Sequence, residues 1–182
     1  MTAVLEIRLF GSLEISQGGA PINKFVSSKA PALLAYLAVT GRAHQRDALA
    51  ALLWGEMADA HAKNNLRQTL SNLRKLLELY LVITRDTIAL ETAVPLTLDV
   101  AQFETHLKAS RASSQHRFEH LAQAAALYRG DFLAGFVVRD APEFEEWLLA
   151  QRVRFRELAL HTLHTLTQHH LECGEYGRAI DS

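Results

Sequence analysis

DAHAKNNLRQTLSNLRKLLEL, residues Asp59–Leu79, reads as one amphipathic helix. At roughly 100° per residue, Leu66, Leu70, Leu73 and Leu77 fall within about 60° of one another. Asn64, Gln68, Ser71 and Lys75 fall on the opposite side, with Arg67 and Arg74 along one flank. A solvated polar face is common to amphipathic helices. Here its charge is nearly all of one sign, and the sequence suggests no i,i+4 acid–base pairing that would explain it as self-stabilisation. A helix of this kind fits the major groove of DNA. There Arg or Lys pairs with guanine and Asn or Gln with adenine, while flanking cations neutralise phosphates.

The elements around this helix supply a context. Leu5–Phe10 alternates apolar and polar residues as a half-buried strand does. Gly11-Ser12 turns into Leu13-Glu14-Ile15, and Gly18-Gly19 turns into a third strand over Pro21–Val26. Ser27-Ser28 before Lys29-Ala30-Pro31 predicts a hydroxyl-capped helix that ends at Gly41. A second helix runs from about Gln45 to Trp54, with Leu49, Leu52 and Leu53 inward and Gly55 as the stop. After the third helix, Leu81–Thr84 and Ile88–Leu90 form a hairpin through Arg85-Asp86-Thr87. Strands, three helices and a terminal hairpin are the order of a winged helix–turn–helix, in which the third helix is the reader. Arg85 at the hairpin tip then suits the minor groove or a phosphate, and Arg46 could meet a phosphate beside the amides that open the second helix.

After Pro95 the pattern becomes helical. Asp99 caps a helix to about Ser110, Ser110–Gln115 turns, and Phe118–Tyr128 forms an alanine-rich helix. Arg129–Asp140 (RGDFLAGFVVRD) is a glycine-punctuated loop. Pro142 opens a long helix to about Glu172, and Tyr176–Ile180 begins another. Such helix pairs predict tetratricopeptide-type repeats, the last of them incomplete, as in a piece of a longer protein. The expected fold is therefore α+β: a winged helix over residues 1–97, then an all-α domain over 98–182.

The 182 residues are 49% hydrophobic and 21% charged, as in a folded globular chain, and the net charge is −1. That near-neutral total hides a gradient. Residues 1–97 sum to +2 and 98–182 to −3, while residues 60–85 alone sum to +4. Basic clustering of this local kind matters more to a phosphate backbone than the overall charge does. One cysteine, Cys173, fits a reducing cytoplasm, and the ten-residue apolar stretch Ala30–Val39 is too short to cross a bilayer. The expectation is a cytoplasmic chain without a leader.

Enzymatic and metal chemistry find little support. His161, His164, His169 and His170 near Cys173 look like ligands, but His170 points away from His161 on a common helix, so no tetrahedral set forms without ligands from elsewhere. Glu143, Glu145 and Glu146 sit at a helix start as complements to its dipole. Neither a nucleophile elbow nor a phosphate-binding glycine loop occurs. Trp54 and Trp147 read as core anchors. No cofactor, metal or catalytic residue is expected.

The segments LEIRLFGSLEI, KAPALLAYLA, RDALAALLW and NLRQTLSNLRKLL resemble the OmpR-type winged helix of the SARP family of bacterial activators. Asp99–Phe103, Leu127–Leu133 and Glu143–Leu148 resemble the bacterial transcriptional activator domain that follows it in that family. The resemblance implies binding to promoter direct repeats, contact with RNA polymerase, and self-association, in some members only on DNA. Two positions depart from it: Thr87-Ile88 stands where many members carry Gly-Tyr, and Gln45 where many cap with Ser or Thr. The NLRQ form is nearer the large multidomain members. A different class of function also fits the near-neutral charge and the altered wing, a protein-binding scaffold whose winged helix no longer holds DNA tightly.

Overall fold

The computed structural model describes residues 3–174, and the helix expected over Tyr176–Ile180 lies outside them. β1 (Leu5–Arg8) buries Leu5 and Ile7 and turns Arg8 to solvent. β2 (Glu14–Gln17) pairs with it antiparallel, in the register Ile7↔Ile15. The third strand is shorter than its sequence suggests: β3 is Ala20–Pro21 alone. The Ile22 amide still donates to the Ile15 carbonyl of β2 at 2.8 Å, and from Lys24 onward a helix side chain takes over. Asn72 Oδ1 accepts from the Val26 amide at 3.2 Å, and Asn72 Nδ2 donates to the Lys24 carbonyl at 3.4 Å.

α1 (Lys29–Thr40) begins without a side-chain cap, because Ser28 already lies in the right-handed helical region. The Ser27 and Ser28 carbonyls, not their hydroxyls, take the amides of Ala30 and Ala32. At the other end Gly41, at φ +62°, closes α1 in the left-handed conformation that glycine adopts without a Cβ penalty. α2 (Arg46–Trp54) ends at Gly55, as its sequence indicates. Gly55 is right-handed, at φ −59°. What requires glycine there is space, since a Cβ would stand 2.7 Å from the Ala51 carbonyl and 2.9 Å from Glu143 Oε1.

α3 spans Asp59–Leu77, and Glu78–Tyr80 tightens into a 3-10 turn that ends the helix two residues early. β4 (His44–Gln45), β5 (Leu81–Ile83) and β6 (Thr87–Leu90) form a second sheet in the order β4-β6-β5. β7 (Leu96–Leu98) returns to the first sheet and runs parallel to β1, completing the order β3-β2-β1-β7.

α4 (Asp99–Ala112), α5 (Arg117–Leu127) and α6 (Pro142–Glu172) follow. Leu98 is the cap residue of α4, and Asp99, read from sequence as that cap, is its first helical residue. The Asp99 carboxylate does long-range work. Buried to 5% side-chain exposure, it accepts the amides of Leu9 at 2.9 Å and Phe10 at 3.0 Å, and it meets Arg129 Nη2 at 3.2 Å. Phe10, thereby held at the end of the first sheet, inserts among Phe103, Tyr128 and Phe155, with ring centroids 5.1–5.3 Å away and edge-to-face. Loop 129–141 is stitched to the same edge: Gly11 and Leu133 donate to Asp131 and Leu9 carbonyls, and Phe10 bridges Phe132. Trp147, half-buried on α6, packs against Tyr36 of α1 and Phe132, and Trp54 is buried in the same continuous core. The described residues thus form a mixed α+β arrangement of small sheets and six α-helices whose two halves share one core.

Candidate nucleic-acid interface

α3 divides as its periodicity predicts. Ala62, Leu66, Thr69, Leu70, Leu73 and Leu77 are buried, and Asn64, Arg67, Gln68, Ser71, Arg74 and Lys75 are all exposed. Packing the leucine stripe on α1 and α2 fixes the helix by its dry side and leaves the polar side outward.

The expected uniformity of charge does not hold. Lys63 bridges Asp59, an i,i+4 partner, at 3.1 Å and Asp47 at 3.2 Å, and these contacts raise its pKa, the Asp59 hydrogen bond most of all. Arg74 faces Glu78, also i,i+4, at 3.5 Å. Sequence reading missed both pairs because each acid sits at an end of the helix or on its neighbour. Such exposed pairs contribute little to stability, but they partly neutralise two cations of the outward face. Arg67 has no ion pair among the described residues and touches the neutral Asn64 Oδ1 at 3.4 Å.

The hairpin stands close beside this face. Its strands pair Ile83↔Ile88, so Thr87 belongs to β6 and the tip is Arg85-Asp86. No glycine is needed, because Thr84 closes the turn. Its Oγ1 accepts the amides of Asp86 at 3.2 Å and Thr87 at 2.9 Å, and its own amide donates to the Thr87 carbonyl. The motif Thr-x-x-Thr was the signal available in the sequence.

Arg46 anchors the tip to α2. Its amide donates to the Asp86 carbonyl at 2.9 Å and its Nη1 to the Thr84 carbonyl at 3.2 Å. Gln45, which provides no side-chain cap, instead pairs through its backbone with Thr87. A groove of about 210 Å³ results, lined by Arg46, Lys63, Arg67 and Arg85 with Asp47 and Asp86. Three of the sequence-predicted residues, Arg46, Arg67 and Arg85, therefore meet. Gln68 lines a different groove on the other flank, and Asn64, Ser71, Arg74 and Lys75 lie outside both.

Among the described residues no His/Cys/Asp/Glu group has the geometry of a metal site. His169 stacks on Phe118, and its ring lies 3.8 Å from Cys173 Sγ. His44, buried under α1, hydrogen-bonds Thr40 Oγ1 at 2.7 Å, and burial together with nearby Arg42 pushes its pKa down. Glu145, expected only to complement a helix dipole, accepts the Val138 amide at 2.7 Å. No helix among the described residues is long and apolar enough to cross a membrane.

Comparison with known proteins bears on this geometry. Residues 98–182 match the family model of the bacterial transcriptional activator domain. No curated protein matches the chain. Among solved structures, Mycobacterium tuberculosis EmbR, in complex with a low affinity phosphopeptide, is similar at 26% identity and a TM-score of 0.76. That similarity covers 98% of this chain and 48% of EmbR, so the chain spans about half the length of its structural relative. The domain match thus covers the second half of the chain, and the fold shared with EmbR extends over nearly all of it.

Proposed function

We propose that the chain is a sequence-specific DNA-binding regulator in which residues 1–97 are an OmpR-type winged helix and 98–182 a tetratricopeptide-like activator domain. α3 is the major-groove reader and hairpin β5–β6 the wing. The observation that carries this reading is the meeting of Arg67 on α3 with Arg85 at the hairpin tip in one groove, beside an outward face of Asn64, Gln68, Ser71 and Lys75. Amide and guanidinium groups on an exposed helix are the groups that discriminate base edges, and a basic hairpin tip can reach phosphate or the minor groove. Arg74 and Lys75 serve as flanking phosphate contacts. Arg46 acts chiefly by holding the wing in place.

Promoter direct repeats, RNA polymerase contact and self-association belong to the same proposal. A stripe on α6 gives the second half a surface for them: Leu149, Val153, Leu160 and Leu171 are each about half exposed or more. They lie within about 40° of one another on the helix. The ion pairs on α3 favour the competing scaffold reading, because they reduce its net positive charge. Electrophoretic mobility shift against the DNA upstream of the chain's own gene separates the two. A retarded complex, lost with Arg67→Ala, supports the regulator, and no complex even at low salt supports the scaffold.

A further inference from the structure

α3 has a wall on each side. Opposite the hairpin, loop Gly135–Asp140 of the second half faces α3 across a groove of about 950 Å³, into which Asn65, Gln68 and Thr69 are turned. Gln68 belongs to the outward face as well, so this groove and the DNA-facing surface are continuous.

The loop is held in place from several directions. Arg152 donates to the carbonyls of Phe132, Leu133 and Phe136 at 2.6–3.2 Å. Glu145 takes the Val138 amide, and Lys29 Nζ donates to the Asp140 carbonyl at 2.9 Å. A wall fixed in this way loses little conformational freedom when a partner arrives.

Its chemistry suits an anion. Lys29 and the exposed Arg139 line the groove from the two halves; Lys29 donates to the Asp140 carbonyl and also feels the carboxylates of Asp140 and Glu56, which leaves Arg139 as the cation turned to solvent. The N-terminus of α1 opens into the groove without a side-chain cap, so the positive end of its dipole adds to the same sign. Thr69 is 3% exposed, lines the groove, and has no hydrogen-bond partner for its hydroxyl among the described residues.

We infer that this loop is a second DNA wall, in which Arg139 of the second half contacts a backbone phosphate of the duplex on the side of α3 away from the hairpin. The inference rests on α3 being the DNA reader. It makes the acidic second half part of the DNA interface, in addition to any role in partner contact.

The test uses the whole chain and a mixed-sequence duplex, because phosphate contacts do not depend on knowing the operator. Affinity is measured by fluorescence anisotropy at about 50 and about 200 mM salt, for the wild type, Arg139→Ala and Arg139→Lys. One lost phosphate contact lowers the logarithmic salt slope by about 0.9, so the affinity drop across this fourfold range shrinks roughly 3-fold in Arg139→Ala. Arg139→Lys restores the wild-type slope, because a phosphate accepts either cation. Arg139 is exposed, so thermal unfolding of all three proteins should coincide. If the wild type binds and Arg139→Ala keeps its slope, the second wall is overturned while α3 stands; a surface for a protein partner would give that result. If the wild type binds no duplex even at the lower salt, the reading of α3 fails and the second wall with it.

Discussion

Replacing Asp99 with alanine should separate the two halves energetically while leaving each helix intact. In the native chain this carboxylate accepts the amides of Leu9, Phe10 and Val100, and it meets Arg129. Leu9 and Phe10 are 0% and 1% exposed, so their amides lose an acceptor that water can replace only by entering from the groove of about 310 Å³ that Asp99 and Arg129 line. Each orphaned buried amide costs about 1–3 kcal/mol. Arg129 is 40% exposed and regains water, so its lost pairing adds little. The long-range amides of Leu9 and Phe10 together predict a loss of about 3 kcal/mol, which in a chain of this size lowers Tm by about 6–12 °C. Asp99→Asn keeps one carbonyl acceptor but loses the charge, and should fall between, at about 1–2 kcal/mol. Urea unfolding followed by circular dichroism, with thermal scans in parallel, measures both. A loss below about 0.5 kcal/mol for Asp99→Ala, the range of ordinary surface changes, would refute the claim that this carboxylate joins the halves.

Three further outcomes follow from the geometry. Gly55→Ala should destabilise by about 1–3 kcal/mol, because the added Cβ meets the Ala51 carbonyl and Glu143; unchanged urea midpoints would show that the end of α2 and the Glu143 side chain both give way freely. His44 has its folded pKa lowered from 6.5 by burial and by Arg42, so the unfolded chain binds the proton more readily. Its stabilising contribution is full above about pH 6.5 and is lost as pH falls through the lowered value, so His44→Gln should flatten the stability profile below pH 6.5. Arg67→Ala should cost about 1–3 kcal/mol of DNA affinity and Arg74→Ala clearly less, since Glu78 already engages Arg74; equal losses in a binding titration would contradict the groove assignment.

What could be read from the sequence was whatever repeats locally. The leucine stripe of α3 has a 3.6-residue period, and the side it buries is the side the pattern indicates. The hairpin, the long helix after Pro142 and the left-handed end at Gly41 are likewise local signals. The errors fall where a distant partner decides. Pro21–Val26 alternates like a strand, yet Asn72 claims its backbone from 46 residues away. Gly55 ends α2 as the sequence indicates, yet part of the crowding that excludes a side chain there comes from Glu143 on another helix. Leu96–Leu98 is a three-residue strand whose parallel partner is the first strand of the chain, and no short-range pattern announces such a pairing. At the candidate interface, residue type and helical face were legible. The division of those residues between two grooves was not, because the second wall is built by a loop some 70 residues farther along the chain.

The central claim, that α3 reads DNA sequence, is tested most directly by selection from a random pool of duplexes with the wild type and with Gln68→Ala. The account predicts that the wild type enriches one motif, repeated in the same orientation, and that Gln68→Ala relaxes preference at a single position of it while keeping the rest. A pool that remains random after repeated rounds with the wild type would contradict it.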